Sequence, residues 1–328
     1  MTTATLTRAD RWTRIAVVAN LVGQVVIVLT GGIVRLTGSG LGCSTWPQCE
    51  PGEFTPVHHD AITFHPYIEF GNRTLTGVLG LIAVAVAIGI WRAPATRGRS
   101  TAFRVLGLVP LAGVAAQAVI GGITVLVDLH PAVVGFHFLS SMALIWGSAA
   151  LYVRLREGDG APRPVVTGPA VPLLGRVVGV LAGVVVVLGV LVTGSGPHSG
   201  DEEVGYRFAF DPTLVSRIHA GAVWAFIAAL VALLVLLARA RPADGVTPAD
   251  LARARRSGLV LLAVTLAQGL IGYVQYFTGL PEVLVALHLV GAALLVTATT
   301  TAILALRVRP SLTEPATPAP AAVTGVTS

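Results

Sequence analysis

Eight long apolar segments constrain the fold of this 328-residue chain more than any other feature. A bilayer core of about 30 Å requires roughly 20 apolar residues per helix. Segments of that length lie at 15–34, 70–91, 105–127, 132–153, 173–193, 215–237, 258–278 and 283–306. Because a chain that crosses lipid must satisfy its own backbone hydrogen bonds, each is predicted to be a helix. Charged residues make up only 12% of the chain, which disfavours a soluble globular protein. We therefore predict an all-α integral membrane protein.

The basic residues predict how the spans are oriented. All 22 are Arg, and 18 of them lie in or beside the N-terminus, the C-terminus and the loops 92–104, 154–172 and 238–257. Basic residues concentrate on the cytoplasmic side of a membrane. Both termini are therefore predicted to be cytoplasmic, with the loops 35–69 and 194–214 on the outer face of the plasma membrane. Topology accounts for the net charge of +6, so no nucleic-acid partner is expected.

The two halves of the sequence repeat one another. LeuThrGlySerGly at 36–40 matches ValThrGlySerGly at 192–196. At an offset of 151, Gln117, Gly121, Leu129 and His137 match Gln268, Gly272, Leu280 and His288. Four spans separate the copies, so both halves have the same orientation. We predict two pseudo-twofold-related four-helix bundles, preceded, joined and followed by cytoplasmic segments. The boundaries are an N-terminus at 1–14, bundles at 15–153 and 173–306, a linker at 154–172 and a disordered tail at 307–328.

Four residues lie at one predicted depth. Asn72, His137, His219 and His288 lie about two to five residues inside the outer ends of the even-numbered spans, or roughly 3–8 Å below the surface. All eight histidines fall at this outer side. Two imidazoles on facing helices suit the axial positions of a heme iron, so His219 and His288 are predicted to be iron ligands. The alternative is that each imidazole hydrogen-bonds a neighbouring helix or loop carbonyl.

Charged residues at the same face provide further candidates. Glu69 either is solvated or pairs with Arg73 at i+4, or it accepts a proton. Arg35 and Arg217 lie at helix ends, where they could bind heme propionates or lipid phosphates.

The first outer loop contains both cysteines and three histidines. Cys43 and Cys49 suit a disulfide in the oxidising outer compartment, either as a structural link or as a redox-active pair. We interpret His58, His59 and His65 as loop surface.

These motifs resemble the heme A synthase family over residues 15–306. The resemblance is carried by GlyGlyIleValArgLeuThrGlySerGlyLeuGlyCys at 31–43 with TrpProGlnCys after it, IleGluPheGlyAsnArg at 68–73, GlyPheHisPhe at 135–138, ArgIleHisAla at 217–220 and AlaLeuHis at 286–288. The cysteine pair and the absence of Lys look most like an actinobacterial or Gram-positive member.

The resemblance implies an oxidoreductase. The family hydroxylates a methyl group of heme O twice, and the gem-diol loses water to leave the formyl group of heme A for a terminal oxidase. The implied site residues form four sets: the catalytic Glu69; His137, Asn72 and Arg73 for the substrate heme; His219, His288 and Arg217 for a heme b cofactor; and the disulfide pair Cys43 and Cys49. An electron donor and the lipid bilayer are implied partners, and a complex with a heme O synthase and a homo-oligomer stay open.

The chain departs from the family at one position. Glu69-Phe-Gly-Asn72 replaces the usual Glu-x-x-His, and Asn is a poor iron ligand. His137 would then be the one strong ligand of the substrate iron. We hypothesise that Asn72 hydrogen-bonds a ligand or water at the open position.

Three other classes compete with the enzyme. A di-heme electron-transfer cytochrome of the b type would have histidine pairs in both halves, which Asn72 contradicts. A heme carrier without oxidation chemistry would bind heme in the same way. A secondary transporter would have charges at the bilayer midplane, where this sequence has almost none.

Overall fold

The computed structural model describes residues 7–57, 64–198, 200, 201, 203 and 205–310. Within these ranges, eight helices are long and apolar enough to cross a membrane, which confirms the predicted spans. The first half contains α1 (Arg8–Leu36), α2 (His65–Arg92), α3 (Pro94–Arg97), α4 (Thr101–Leu106), α5 (Val109–Leu126) and α6 (Pro131–Arg154). The second half contains α7 (Ala170–Ser195), α8 (Pro212–Arg239), α9 (Pro248–Phe277) and α10 (Glu282–Ala305). Helices α4 and α5 together form the third span.

Prolines in the first turn set the start of three even-numbered spans. Pro66, Pro131 and Pro212 occupy the beginning of α2, α6 and α8, where the missing N–H would have no helical partner. Helix α2 therefore begins at His65 rather than at the predicted residue 70, and α8 at Pro212 rather than at 215.

The helices of each half pack as a four-membered bundle. In the first half α1 and α5 both contact α2 and α6, and in the second half α7 and α9 both contact α8 and α10. The pairs α2/α6 and α8/α10 therefore lie on the diagonals of their bundles. The all-helical fold is confirmed, whereas the pseudo-twofold axis stays a prediction.

An apolar cluster joins the two bundles. Val28 on α1, Met142 and Ile145 on α6 and Ala293 on α10 are buried together. Gly32 on α1 admits the side chain of Leu289 on α10, since an added Cβ would lie 2.6 Å from Leu289 Cδ1. Small residues of this kind let helices approach closely in a membrane.

Helices α1 and α6 also share a buried polar contact. Asn20, Gln24 and Ser148 are at most 2% exposed. Asn20 Nδ2 donates to Ser148 Oγ at 2.9 Å, and Gln24 Nε2 lies 3.5 Å from Asn20 Oδ1. Polar groups inside a membrane protein need such partners, because lipid offers none.

Asp159 organises the end of the molecule opposite to the histidines. Its carboxylate accepts hydrogen bonds from Arg99 Nε at 2.7 Å, from Ser100 N at 2.9 Å and from Arg154 Nη2 at 3.2 Å. The hydrogen bonds from Arg99 in particular hold the pKa of the Asp159 carboxyl well below its usual range. The linker between the bundles is thereby tied to the loop after α2.

The linker also pairs with the chain after α10. Strand β1 (Arg163–Pro164) lies antiparallel to β2 (Arg307–Val308). The prediction of a disordered tail from residue 307 is therefore wrong for residues 307–310, because β2 has found hydrogen-bonding partners on the linker. Residues 311–328 lie outside the described residues.

Replacing Asp159 by Asn is expected to destabilise the fold by about 3 kcal/mol at pH 7, because it leaves Arg99 without its carboxylate partner and removes one carboxylate partner of Arg154, which keeps Glu157. The lowered pKa means that the carboxylate stabilises the wild type above the ordinary value of 3.8, so the difference should shrink as the pH falls below it. Thermal unfolding in detergent, followed by circular dichroism, measures the difference. Asp244→Asn, at an exposed site, is the control; equal midpoints for Asp159→Asn and wild type would contradict the assignment.

Candidate functional site

Four side chains lie at matching depth at one end of the bundles. Asn72 and His219 are the eighth residues of α2 and α8, and His137 and His288 are the seventh residues of α6 and α10. At 1.5 Å per residue they lie about 9–11 Å from the helix starts, deeper than predicted because these helices begin earlier. The predicted common depth is confirmed, and the diagonal placement turns each pair towards the centre of a bundle.

Each imidazole lies against a glycine of the preceding helix. Because glycine has no side chain, each ring can lie close to the helix backbone, where another residue would place its Cβ. The distances from an added Cβ to the ring Cε1 are 3.4 Å for Gly121 and His137, 3.4 Å for Gly189 and His219, and 3.1 Å for Gly272 and His288. Any larger residue would crowd the ring and the space beside it.

The three rings have unpartnered nitrogen atoms. Within the described chain, Nδ1 of His137, His219 and His288 is buried and has no hydrogen-bond partner. His219 and His288 lie at matching depth on the diagonal helices α8 and α10, so the second bundle brings the two rings to one level. Buried polar atoms without a partner are rare and call for an explanation, such as a bound group.

The other described histidines behave differently. His65 Nδ1 lies 2.9 Å from Ser39 Oγ, His130 Nδ1 accepts from Ala132 N at 3.4 Å, and His198 Nε2 lies 3.2 Å from Leu280 O. His65 is exposed, as predicted, but it is the first residue of α2 rather than part of the loop. His58 and His59 lie outside the described residues. The ring nitrogens of these three histidines therefore have partners, unlike Nδ1 of His137, His219 and His288.

The repeat at an offset of 151 has the same local structure in both halves. Gln117 Nε2 donates to His137 O at 3.2 Å, and Gln268 Nε2 donates to His288 O at 2.7 Å. The loops that follow α5 and α9 both contain a leucine with positive φ, +56° at Leu129 and +61° at Leu280. In both halves, therefore, the matched glutamine donates a hydrogen bond to the backbone carbonyl of the matched histidine.

Asn72 contacts a residue that the sequence analysis did not consider. Thr30 Oγ1 on α1 donates to Asn72 Oδ1 at 2.7 Å. The atom of Asn72 nearest to an added Cβ on Gly31 is Nδ2, at 4.0 Å. Thr30 precedes the motif that carried the family resemblance, so a polar residue just before GlyGly was the available signal.

Glu69 is buried among hydrogen-bond donors. The residue is 5% exposed, which rules out a solvated carboxylate. Its Oε2 accepts from Cys43 N at 2.7 Å, and its Oε1 accepts from Arg73 Nε at 3.1 Å and from Arg73 Nη2. The predicted pairing with Arg73 at i+4 is confirmed, and the loop backbone adds a further donor.

The predicted disulfide Cys43–Cys49 is present and fully buried. Arg73 fastens the loop that it closes, since Nη2 donates to Thr45 O at 3.0 Å and Nη1 donates to Gln48 O at 3.1 Å. One guanidinium therefore joins the disulfide loop to the Glu69 carboxylate. The indole of Trp46, from the same loop, packs against Gly122 of α5, next to the glycine that faces His137.

The two predicted helix-end arginines differ. Arg35 donates from Nε to His198 O at 2.8 Å and from Nη2 to Thr193 O at 3.0 Å, so these atoms are engaged by carbonyls at the end of α7 and in the loop after it rather than left for a propionate or phosphate. Gly40 N donates to Gly200 O at 2.8 Å nearby, so the outer loops of the two halves are joined. Arg217 is exposed and forms no ion pair or hydrogen bond with the described part of the chain.

The fold and the site define an eight-span helical membrane protein that carries imidazoles inside two helix bundles. The sequence profile of the cytochrome oxidase assembly protein family (COX15-CtaA) matches residues 14–197, more than half of the chain. The chain belongs to this family, in agreement with the motifs in its sequence. The match ends before His219 and His288.

Curated relatives are similar to part of the chain. The heme A synthase of Lysinibacillus sphaericus is 32% identical over 147 residues, which cover 44% of this chain and 45% of that protein. The heme A synthase of Halalkalibacterium halodurans is 30% identical over 145 residues, or 44% of this chain and 46% of that protein. The chain therefore spans less than half the length of the curated relatives that it matches.

Replacing Arg73 by Leu is expected to loosen the disulfide loop. Hydrogen bonds to a charged group contribute about 1.5–3 kcal/mol, so the Cys43–Cys49 bond should be reduced by dithiothreitol about tenfold faster or more. Trapping free thiols with a maleimide reagent at timed intervals measures the rate. Arg217→Leu is the matched control, and an unchanged rate in Arg73→Leu would show that Arg73 does not fasten the loop.

Proposed function

We propose that this chain is a heme A synthase, which oxidises a methyl group of heme O to the formyl group of heme A by successive hydroxylation. Family membership and the names of the relatives support the proposal. One structural observation carries it: three imidazoles at a common depth each have a buried Nδ1 atom without a hydrogen-bond partner in the described chain and lie against a glycine of the preceding helix. A group that uses imidazole ligands and needs flat space between helices satisfies both features, and heme is such a group.

The second bundle is proposed to hold the cofactor, heme b. His219 and His288 lie on diagonal helices and would provide the two axial ligands of its iron. The residues fit the group, since both imidazoles have a buried ring nitrogen without a partner in the described chain, and Gly189 and Gly272 let the rings lie between the helices. Bound heme b would supply one-electron transfer to and from a redox partner. Arg217, exposed two residues before His219, would contact a heme propionate.

The first bundle is proposed to hold the substrate heme O. His137 would be the strong iron ligand, and Asn72 lies on the opposite diagonal helix. Heme O carries a long apolar tail, so a site within the membrane lets it enter from the lipid. Arg73 donates hydrogen bonds to Glu69 and would act on this heme through that carboxylate.

Glu69 is proposed to be the catalytic carboxylate. Hydroxylation of a methyl group and the later loss of water both require proton transfer close to the reacting carbon. Arg73 and the Cys43 N–H hold the two carboxylate oxygens in place, so Glu69 can accept a proton without changing its position. The disulfide thereby has a structural role, since its loop carries one of these donors.

The cellular setting is also proposed. The sites would lie near the outer face of the plasma membrane, with both termini in the cytoplasm and the product passed to terminal-oxidase assembly. The Arg distribution supports this orientation. The all-Arg composition and the loop cysteines support an actinobacterial type of synthase.

Membranes that express this chain together with a heme O synthase test the proposal. Heme extraction and chromatography should yield heme A or its hydroxylated precursor from the wild type. Glu69→Gln should reduce conversion by about 10²–10⁴-fold, the range for loss of a general acid or base, while heme remains bound. His288→Ala should abolish conversion and remove the second-half heme from the optical spectrum.

Glu282→Gln, an exposed carboxylate at the first residue of α10, is the matched control and should convert heme O normally. If the wild type binds heme while heme O accumulates unchanged, the chain is an electron-transfer protein or a heme carrier. Full conversion by Glu69→Gln would remove the catalytic role of that residue and leave the synthase activity standing.

A further inference from the structure

The hydrogen bond between Thr30 and Asn72 links two helices inside the first bundle. Thr30 Oγ1 lies 2.7 Å from Asn72 Oδ1, and the residues are 42 positions apart in the sequence. A threonine in a helix commonly bonds a carbonyl of its own preceding turn. Thr30 also has Ile27 O at 3.2 Å, but the shorter contact is to Asn72. The hydroxyl therefore restrains the Asn72 carboxamide through its oxygen.

The other end of that carboxamide occupies a distinctive position. Nδ2 of Asn72 approaches Gly31, much as the rings of His137, His219 and His288 approach their glycines. At those three positions the group next to the glycine is an imidazole, whereas at this one it is an amide N–H donor. Nδ2 forms no hydrogen bond with any part of the chain that the structure describes.

We propose that Thr30 is a positioning residue for the substrate site: it fixes the Asn72 carboxamide so that Nδ2 donates a hydrogen bond to a small ligand on the substrate iron. This inference rests on the proposed function, with His137 as the one strong ligand of that iron. Without the Thr30 hydroxyl the carboxamide can rotate and present its oxygen, which repels an anionic or electron-rich ligand. The Thr30 hydroxyl thus determines that Asn72 presents Nδ2, and not Oδ1, to the ligand.

Fluoride is the probe for this contact. It binds ferric heme that has an open axial position, accepts hydrogen bonds, and changes the visible absorption spectrum. The full-length protein, loaded with ferric heme b in both halves, is titrated with fluoride. The second-half heme, held between His219 and His288, has no open position and serves as an internal reference.

Asn72→Leu should weaken fluoride binding by about tenfold, the effect of losing one hydrogen bond to a charged acceptor. Thr30→Val, which keeps the shape of the side chain, should cause a similar loss. Thr30→Ser, which keeps the hydroxyl, should restore wild-type affinity. Asn72→His should give a six-coordinate low-spin heme that no longer binds fluoride, because an imidazole at this position can reach the iron.

Each other outcome overturns a defined part of the inference. If Asn72→Leu weakens binding and Thr30→Val does not, Thr30 has no positioning role. If neither variant weakens binding, or if Asn72→His still binds fluoride, residue 72 does not face the iron. The second-half spectrum reports whether each variant has folded, and Thr30→Ala replaces Thr30→Val if the latter has lost it.

Failure of the proposed function has a different signature. A wild type that binds one heme per chain, with no fluoride response, lacks the first-half site altogether. If the wild type responds to fluoride and the variants do not differ from it, the first-half site is present and only the positioning role proposed for Thr30 is wrong.

Discussion

The scarcity of hydrogen-bonding partners in lipid is the constraint on which this structure depends. The backbone meets it by forming helices, and buried side chains meet it by pairing, as Asn20 does with Ser148. Against that background, unpartnered atoms are conspicuous. The Nδ1 atoms of the three deep histidines are among them, and each of these rings lies against a glycine of the preceding helix. The lack of hydrogen-bonding partners in lipid therefore explains both the helical fold and why these unpartnered nitrogens indicate a site.

Bundle geometry decides what the marked residues can do together. Helices on a diagonal do not pack closely, so their side chains face a shared space rather than each other's backbone. Glycines on the intervening helices widen that space. The first bundle has the same arrangement with an amide in place of one imidazole, and the proposed division into a cofactor bundle and a substrate bundle rests on this difference.

The loops at the histidine end of the bundles connect the candidate site to the rest of the molecule. Arg73 joins the disulfide loop to Glu69, and Arg35 joins the first half to the second through loop carbonyls. Arginine suits both positions because its planar head presents several donors at fixed angles. The conformation of these loops and the position of the candidate catalytic carboxylate are therefore determined together.

Much of this protein follows from sequence alone. Eight apolar segments, the common depth of His137, His219 and His288, and the repeated Gln117 and Gln268 are periodic or matched features, and such features survive without knowledge of the fold. The predicted helix starts were up to ten residues late, as at α9, because first-turn prolines such as Pro248 and Pro66 lie outside the apolar runs. Only the tertiary structure decided the α2 partner of Thr30, the partners of Arg35 and the loop partners of Arg73. Their hydrogen bonds join residues 25 to 163 positions apart, and hydrophobic periodicity indicates which face of a helix is buried but not which side chain it meets.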